Sequence, residues 1–153
     1  MATHAHSDLH LVTYSDGGAR GNPGPAGAGF VVKIKNGHTL LKQGIYLGER
    51  TNNQAEYVGL YKAIEKSLEF SPASITCYLD SLLAVKQMKG EFKIKEPTLK
   101  NLAAQIHSIR GNTPVEFIHV RRELNKEADA MANLAMDKGK QMGDSFVTLR
   151  AEV

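Results

Sequence analysis

The first third of the chain alternates between apolar and polar positions in the way that β-strands do. Residues 9–15 (LHLVTYS) carry apolar side chains on both faces and stop at Asp16-Gly17-Gly18, which predicts a central strand that ends at a turn. Residues 30–35 alternate with a period of two, and Asn36-Gly37 supplies a hairpin turn before a third strand at about 39–47. We therefore expect three sequential strands in an antiparallel meander.

From residue 52 the apolar residues recur at helical spacing. They predict a helix with Pro72 just beyond it as a stop, and its apolar stripe consists of Leu60, Ala63, Ile64, Ser67 and Leu68. Later patterns predict a buried strand at 74–79, a short helix at 82–88, a helix from about Pro97 to Gly111, a fifth strand at 115–120 and a last helix at about 125–138.

This order of elements predicts an α/β fold with a mixed five-stranded sheet flanked by helices. The first three strands are antiparallel, and the last two are added through helical connections that should be right-handed crossovers. We expect the domain to occupy residues 9–138. Residues 1–8 would form a disordered N-terminal segment, and residues 139–153 a C-terminal tail with a candidate strand at 146–149.

The composition is that of one domain with a continuous core. The chain has 153 residues, of which 42% are apolar. No stretch approaches the roughly 18 apolar residues of a membrane span, and the start lacks a signal-peptide layout, so we expect a cytoplasmic protein without a membrane partner. The one cysteine, Cys77, is expected to be a buried structural thiol. Nothing indicates an obligate protein partner, and we expect a monomer.

The charge permits a polyanionic partner but does not require one. The formal net charge is +3. Two groups of basic residues stand out, namely Arg121-Arg122 and the lysines at positions 86, 89, 93, 95 and 100. Such groups form either a solvated face or a binding surface, and the charge alone leaves both open.

Four acidic residues stand where apolar strands and helices usually exclude them. Asp16 and Asp80 follow two predicted strands, Glu56 lies in the first turn of the first helix, and Asp129 lies beside the apolar stripe of the last helix. An isolated buried carboxylate costs several kcal/mol unless it is paired or binds a metal. Each alone could be a cap or a turn residue, but the four together predict a divalent cation site.

Carboxylate oxygens are the ligands that Mg²⁺ prefers, and this ion is usually bound together with substrate phosphates. Two ions about 4 Å apart can activate an attacking water and stabilise the leaving oxygen of a phosphodiester. The residues therefore predict a metal-dependent nuclease with two Mg²⁺ ions, for which Mn²⁺ can substitute. Without metal, the carboxylates would repel one another and raise at least one pKa.

Four segments resemble the type 1 ribonuclease H family, in the family's order, over residues 11–138. They are YSDGGARGNPGPAGAGF, RTNNQAEYVGL, YLDS and NKEADAMAN. The resemblance implies a ribonuclease H-like fold and a hydrolase that binds RNA/DNA hybrids. Its activity would be endonucleolytic cleavage of the RNA strand, by two metal ions, to give 5′-phosphate and 3′-hydroxyl ends.

The resemblance also implies a role for each matching residue. The four carboxylates that would hold the two ions are Asp16, Glu56, Asp80 and Asp129. The residues that would contact the hybrid are Gly17, through its amide, and Asn22, Asn52 and Asn53. Side-chain amides can donate to and accept from the 2′-hydroxyl that distinguishes RNA from DNA.

The chain departs from the family pattern in three places. Leu82 stands where many members have a glutamine, and only EFKIKEPT separates Gly90 from Leu99, in place of a longer basic helix and loop. Because this segment is short, substrate affinity should depend more on salt and less on an extended basic handle. His119 aligns by count with the family's loop histidine but lies in a predicted strand, so it is either a strand residue or an auxiliary residue in proton transfer or product release. Glu123 is the alternative candidate for that auxiliary role.

Two other functions use the same fold. A non-catalytic nucleic-acid-binding module would be expected to lack one or more of the carboxylates, and all four are present. A resolvase or transposase core would not be expected to carry the pair Asn52-Asn53. Activity on double-stranded RNA is not distinguished by the sequence.

Overall fold

The computed structural model describes residues 8–139 and the backbone of residues 142–143. The strands are β1 (His10–Ala19), β2 (Gly24–Ile34), β3 (Thr39–Arg50), β4 (Ser74–Leu79), β5 (Val115–His119) and β6 (Met142–Gly143). The helices are α1 (Asn52–Leu68), α2 (Leu82–Met88), α3 (Pro97–Arg110) and α4 (Lys126–Lys138), with a 3₁₀ turn at Arg122–Leu124. The predicted strand at 146–149 lies outside the described residues.

The strands form one mixed sheet in the order β5-β4-β1-β2-β3-β6. The first three strands are antiparallel, β4 is parallel to β1, and β5 is parallel to β4. The predicted five-stranded α/β sheet is thus confirmed. The two-residue β6 adds to its edge by pairing antiparallel with Gln43 and Gly44 of β3.

Helices cover both faces of the sheet. Helix α1 packs on β1 and β2 and is itself covered by α3, whereas α4 packs on the other face across β1, β2 and β3. The main core lies between the sheet and α1, and its fully buried side chains include Phe30, Leu60 and Ile64. Cys77 is buried in this core, and its burial raises the pKa of the thiol to about 12. No helix of the described part is long and apolar enough to cross a membrane.

The first strand does not end at Asp16, so this part of the prediction is wrong. Strand β1 continues to Ala19, and Asp16 pairs with Gly29 of β2. The glycines of this region allow the helices to pack closely against the sheet. A Cβ on Gly17 would lie 2.2 Å from the carbonyl carbon of Ala55 in α1, and one on Gly29 would lie 2.2 Å from the carbonyl oxygen of Ala128 in α4. Both helices can therefore approach the sheet beside Asp16.

Capping side chains fix the helix starts at this end of the sheet. Thr51 and Gln54 form a capping box at the start of α1, and Ser81 accepts from the amide of Ala84 to cap α2 directly after Asp80. Because α1 starts at Asn52, Glu56 is its fifth residue and lies beyond the predicted first turn.

Candidate active site

Three carboxylates converge at the middle of the sheet. The parallel register that pairs Ser15 with Leu79 places Asp16 and Asp80 side by side at neighbouring strand positions. Glu56 reaches the same point from α1. One oxygen of each lies within 4.8 Å of the others, so the three carboxylates could bind one cation together.

Asp129 is the fourth acidic residue of the same cavity. It lies in the first turn of α4, outside the group of three, and, in addition to burial, its negative charge helps to raise the pKa of Asp16. The cavity has a volume of about 530 Å³. It is lined by all four predicted carboxylates and by residues of β1, α1 and α4.

The carboxylates perturb one another as closely placed acids should. Burial, followed by the negative charges of Asp80 and Asp129, raises the pKa of Asp16 from 3.8 to about 7. Burial and the same kind of repulsion, from Asp16 and Asp80, also raise the pKa of Glu56. Among the described residues, no positive charge is a cause that lowers either pKa.

One oxygen of Glu56 is left without a partner. Its Oε1 accepts a hydrogen bond from the amide of Gly17 at 3.2 Å, whereas its Oε2 is buried and has no hydrogen-bond partner among the described residues. A buried carboxylate oxygen without a donor is costly unless a proton or a cation pairs with it. The residues of the cavity therefore fit a divalent metal ion, and they supply the oxygen ligands that Mg²⁺ and Mn²⁺ prefer.

A buried asparagine that the sequence analysis did not identify supports Asp80. The Nδ2 of Asn125 donates to the carbonyl oxygen of Ser15 at 2.9 Å and to Oδ2 of Asp80 at 3.1 Å. It thereby joins the start of α4 to β1 and to the end of β4. Only its place in the segment NKEAD, four residues before Asp129, could have drawn attention to it.

The residues predicted to contact a hybrid lie in and beside the cavity. Gly17, Asn52 and Asn53 line it. Asn22 does not, but its Oδ1 accepts from the amide of Asn52 at 2.9 Å. The Oδ1 of Asn52 in turn accepts from the amide of Ala19 at 2.8 Å. The side-chain oxygens of Asn22 and Asn52 thus accept hydrogen bonds within the protein. The NH₂ groups of these two side chains can donate to a ligand.

The two predicted auxiliary residues do not line the carboxylate cavity. His119 is the last residue of β5, where it is exposed and lines a groove beside α2. Glu123 is exposed in the 3₁₀ turn and lines a small pocket with Tyr14 and Lys33. The adjacent Arg122 does line the cavity, as does Arg20 from the β1–β2 connection. Arg122 belongs to the basic pair Arg121-Arg122 that stands out in the sequence, whereas Arg20 is a functional candidate that the sequence did not indicate.

Two lysines of the predicted group form ion pairs within the protein. Lys86 and Lys89 lie 3.3 and 3.4 Å from the carboxylate oxygens of Glu91. For this pair the structure favours a solvated face over a binding surface, because their charges already have a partner.

Comparisons with known proteins show which proteins the chain resembles. Residues 14–135 match the family described as Reverse transcriptase-like. The Bifunctional protein Rv2228c of Mycobacterium tuberculosis is 39% identical over 137 residues, and the Ribonuclease HI of Halobacterium salinarum is 38% identical over 125 residues. The alignments cover 87% and 81% of this chain, which spans only 37% and 63% of these two relatives.

Solved structures show the same fold. The N-terminal RNase H domain of Rv2228c is similar with a TM-score of 0.82 at 36% identity, over 85% of this chain and 95% of that one. LC11-RNase H1, solved in complex with an RNA/DNA hybrid, has a TM-score of 0.80 at 43% identity. That alignment covers 84% of this chain and 98% of the solved one.

Proposed function

The chain belongs to the type 1 ribonuclease H family, and we propose that it hydrolyses the RNA strand of RNA/DNA hybrids. The observation that carries the proposal is the group formed by Asp16, Glu56 and Asp80, whose oxygens lie within 4.8 Å, together with the buried, unpaired Oε2 of Glu56. Divalent cations would neutralise such a group, and ions held there could bind a phosphodiester in the adjacent cavity.

The choice of hybrid as substrate rests on two further observations. The similar LC11-RNase H1 was solved with a bound RNA/DNA hybrid. In the present chain Asn52 and Asn53 line the same cavity as the carboxylates, where their amides can contact sugar hydroxyls. We therefore assign Gly17, Asn22, Asn52 and Asn53 to substrate binding, with Asn22 acting through Asn52.

The proposed mechanism uses two divalent ions, Mg²⁺ or Mn²⁺ in its place, held by Asp16, Glu56, Asp80 and Asp129. Bound there, they would supply an activated water and stabilise the leaving oxygen, which leaves 5′-phosphate and 3′-hydroxyl ends. The protein holds its own groups in place for this reaction. Asn125 keeps Asp80 oriented, and the Gly17 amide holds one oxygen of Glu56.

The charge at the rim of the cavity also fits a phosphodiester substrate. Four carboxylates alone would repel a polyanion, but Arg20 and Arg122 line the same cavity. A guanidinium group pairs with phosphate oxygens in a planar, two-pronged geometry. We assign Arg122 to this contact. Arg20 is already engaged by neighbouring side chains.

The experiment that tests the function compares substrates and ions in one assay. A hybrid labelled on the RNA strand, duplex DNA, duplex RNA and branched DNA are each incubated with Mg²⁺, Mn²⁺ or a chelator, and the product ends are mapped. We expect metal-dependent cutting of the RNA strand of the hybrid, and its loss in Asp16→Asn. Folded protein that binds hybrid but cuts it with neither ion would instead be a binding module. Light scattering on the same preparation tests the proposed monomeric state.

A further inference from the structure

A series of polar contacts runs along α4 to Asp129. Nη1 of Arg20 lies 2.6 Å from Oδ1 of Asp137, and its Nη2 donates to Oδ1 of Asn133 at 3.4 Å. Nδ2 of Asn133 donates to the carbonyl oxygen of Asp129 at 3.0 Å and to its Oδ1 at 3.2 Å. Residues 129, 133 and 137 recur every four positions and so share one side of α4. Arg20 reaches this side from the β1–β2 connection.

The orientation of the Asn133 amide decides whether it supports or repels Asp129. A side-chain amide has an acceptor oxygen on one side and two donor hydrogens on the other. If it were turned over, its oxygen would face the carboxylate of Asp129. A guanidinium group has only donors and keeps its charge, so Arg20 can pair only with Oδ1 of Asn133. Arg20 thus favours the orientation in which Nδ2 faces Asp129, and Asp137 holds Arg20 in reach.

Asp129 is the carboxylate that most needs such support. Asp16 and Asp80 are placed by the register of two hydrogen-bonded strands, and Glu56 is held by the Gly17 amide. Asp129 comes instead from the helix on the opposite face of the sheet from α1, and it lies outside the group of three. Its distance from the other carboxylates therefore depends on its side-chain rotamer, which Asn133 restrains.

We propose that Arg20 and Asp137 are positioning residues for Asp129, and that they act by fixing the orientation of the Asn133 amide. The inference rests on the proposed function, because it gives Asp129 a role in holding a divalent ion. Its consequence is that a surface ion pair outside the group of carboxylates controls the affinity of the site for metal. Asp137 provides the discriminating test, because it does not line the cavity, whereas Arg20 does.

The experiment measures Mn²⁺ binding by calorimetry without substrate, for the wild type, Arg20→Ala, Arg20→Lys, Asp137→Asn and Asn133→Ala. Replacing a partner of a metal ligand typically weakens metal binding about 10- to 100-fold, so we expect roughly tenfold for Asn133→Ala and a smaller loss for Arg20→Ala and Asp137→Asn. Arg20→Lys keeps a charged group that can only donate, so it should retain part of the affinity that Arg20→Ala loses. The matched control is Glu127→Gln, which removes another ion-paired carboxylate of α4, 3.1 Å from Lys33, and should bind Mn²⁺ like the wild type.

A second measurement follows the amide itself. The side-chain ¹⁵N–¹H resonances of Asn133, assigned by their loss in Asn133→Ala, should shift in Arg20→Ala and Asp137→Asn but not in Glu127→Gln. Thermal unfolding of each variant with chelator reports whether the fold is kept.

Two results would overturn the inference. Wild-type Mn²⁺ affinity in Asp137→Asn and Arg20→Ala would do so. A higher KM for hybrid in Arg20→Ala, with unchanged metal affinity, would make Arg20 a substrate contact instead. A wild-type protein that bound no Mn²⁺ would contradict the proposed function itself, which separates the two failures.

Discussion

Asn125 donates a hydrogen bond to Asp80 at 3.1 Å, although the two residues lie 45 positions apart in the chain. The same NH₂ group donates to the carbonyl oxygen of Ser15, and only 1% of Asn125 is exposed. The side chain therefore links α4, β1 and the end of β4 at the point where the carboxylates meet. Two different properties, stability and the orientation of Asp80, depend on this one amide.

Replacing Asn125 should affect both properties. In Asn125→Ala the carbonyl oxygen of Ser15 loses a buried donor, which costs about 1–3 kcal/mol of unfolding free energy. Asn125→Asp should be more damaging near neutral pH, because it places another carboxylate beside Asp80. Urea unfolding measures the first effect, and Mn²⁺ binding by the folded variants measures the second. Asn101→Ala, an exposed position on α3, is the control. Wild-type stability in Asn125→Ala would contradict the assigned hydrogen bonds.

The cluster of buried carboxylates should make the metal-free protein less stable as the pH rises. The pKa of Asp16 is about 7 in the folded protein against a usual 3.8, so the folded state holds this proton more tightly than the unfolded chain. Its contribution to stability is therefore complete below about pH 4 and is lost as the pH rises through 7. The raised pKa of Glu56 acts in the same direction.

The measurement is urea unfolding with chelator between pH 4.5 and 8, repeated with Mg²⁺. Asp80→Asn removes one of the repelling charges and should raise the metal-free stability near pH 7.5, while abolishing hybrid cleavage. Mg²⁺ at 100 times its dissociation constant should stabilise the wild type by about 2.7 kcal/mol and the variant by less. A metal-free stability that rises with pH through this window would contradict the predicted repulsion.

The order of elements could be predicted from the sequence because burial follows local periodicity. The bounds of β4 and α2 match the prediction, since each is a short segment with a clear apolar pattern. The extension of β1 past Asp16 could not be predicted from Gly17 and Gly18. A pair of glycines after a strand resembles a turn, and only the position of α1 shows that Gly17 is needed for close packing.

The carboxylate residues of the candidate site could be predicted from the sequence. The residues that hold these carboxylates in place could not. The carboxylates stand in segments with strong local patterns. The contacts of Asn125 with Ser15 and of Arg20 with Asn133 join residues 110 and 113 positions apart. Such pairs depend on how α4 is placed against β1, which no local pattern encodes.

Gly29 should be essential for the packing of α4. A Cβ at this position would lie 2.2 Å from the carbonyl oxygen of Ala128 and 2.6 Å from the amide nitrogen of Ala132, and neither backbone group can move alone. Gly29→Ala should therefore lower the unfolding free energy by at least about 1–3 kcal/mol, the usual range for overpacking. Gly18→Ala is the matched control, because its Cβ would meet only Asn52 Oδ1 at 3.7 Å. Equal stability of the two variants in urea would contradict the assigned contact between β2 and α4.

We expect replacement of Arg122 to lower kcat/KM and replacement of His119 to have little effect, although both residues lie in the segment before α4. Arg122 lines the carboxylate cavity, where its charge can pair with a substrate phosphate. His119 faces the groove beside α2. A hydrogen bond to a charged group contributes about 1.5–3 kcal/mol, so Arg122→Ala should lower kcat/KM roughly 10- to 100-fold.

His119→Ala should change kcat/KM less than about threefold, because His119 does not line the carboxylate cavity where proton transfer would occur. Steady-state cleavage of a labelled hybrid at saturating Mg²⁺ measures both effects, and Arg121→Ala controls for the loss of a neighbouring charge. A large loss in His119→Ala, with a change in the pH profile of kcat, would instead assign this histidine to proton transfer or product release. It would also require that the end of β5 moves toward the carboxylates when substrate binds.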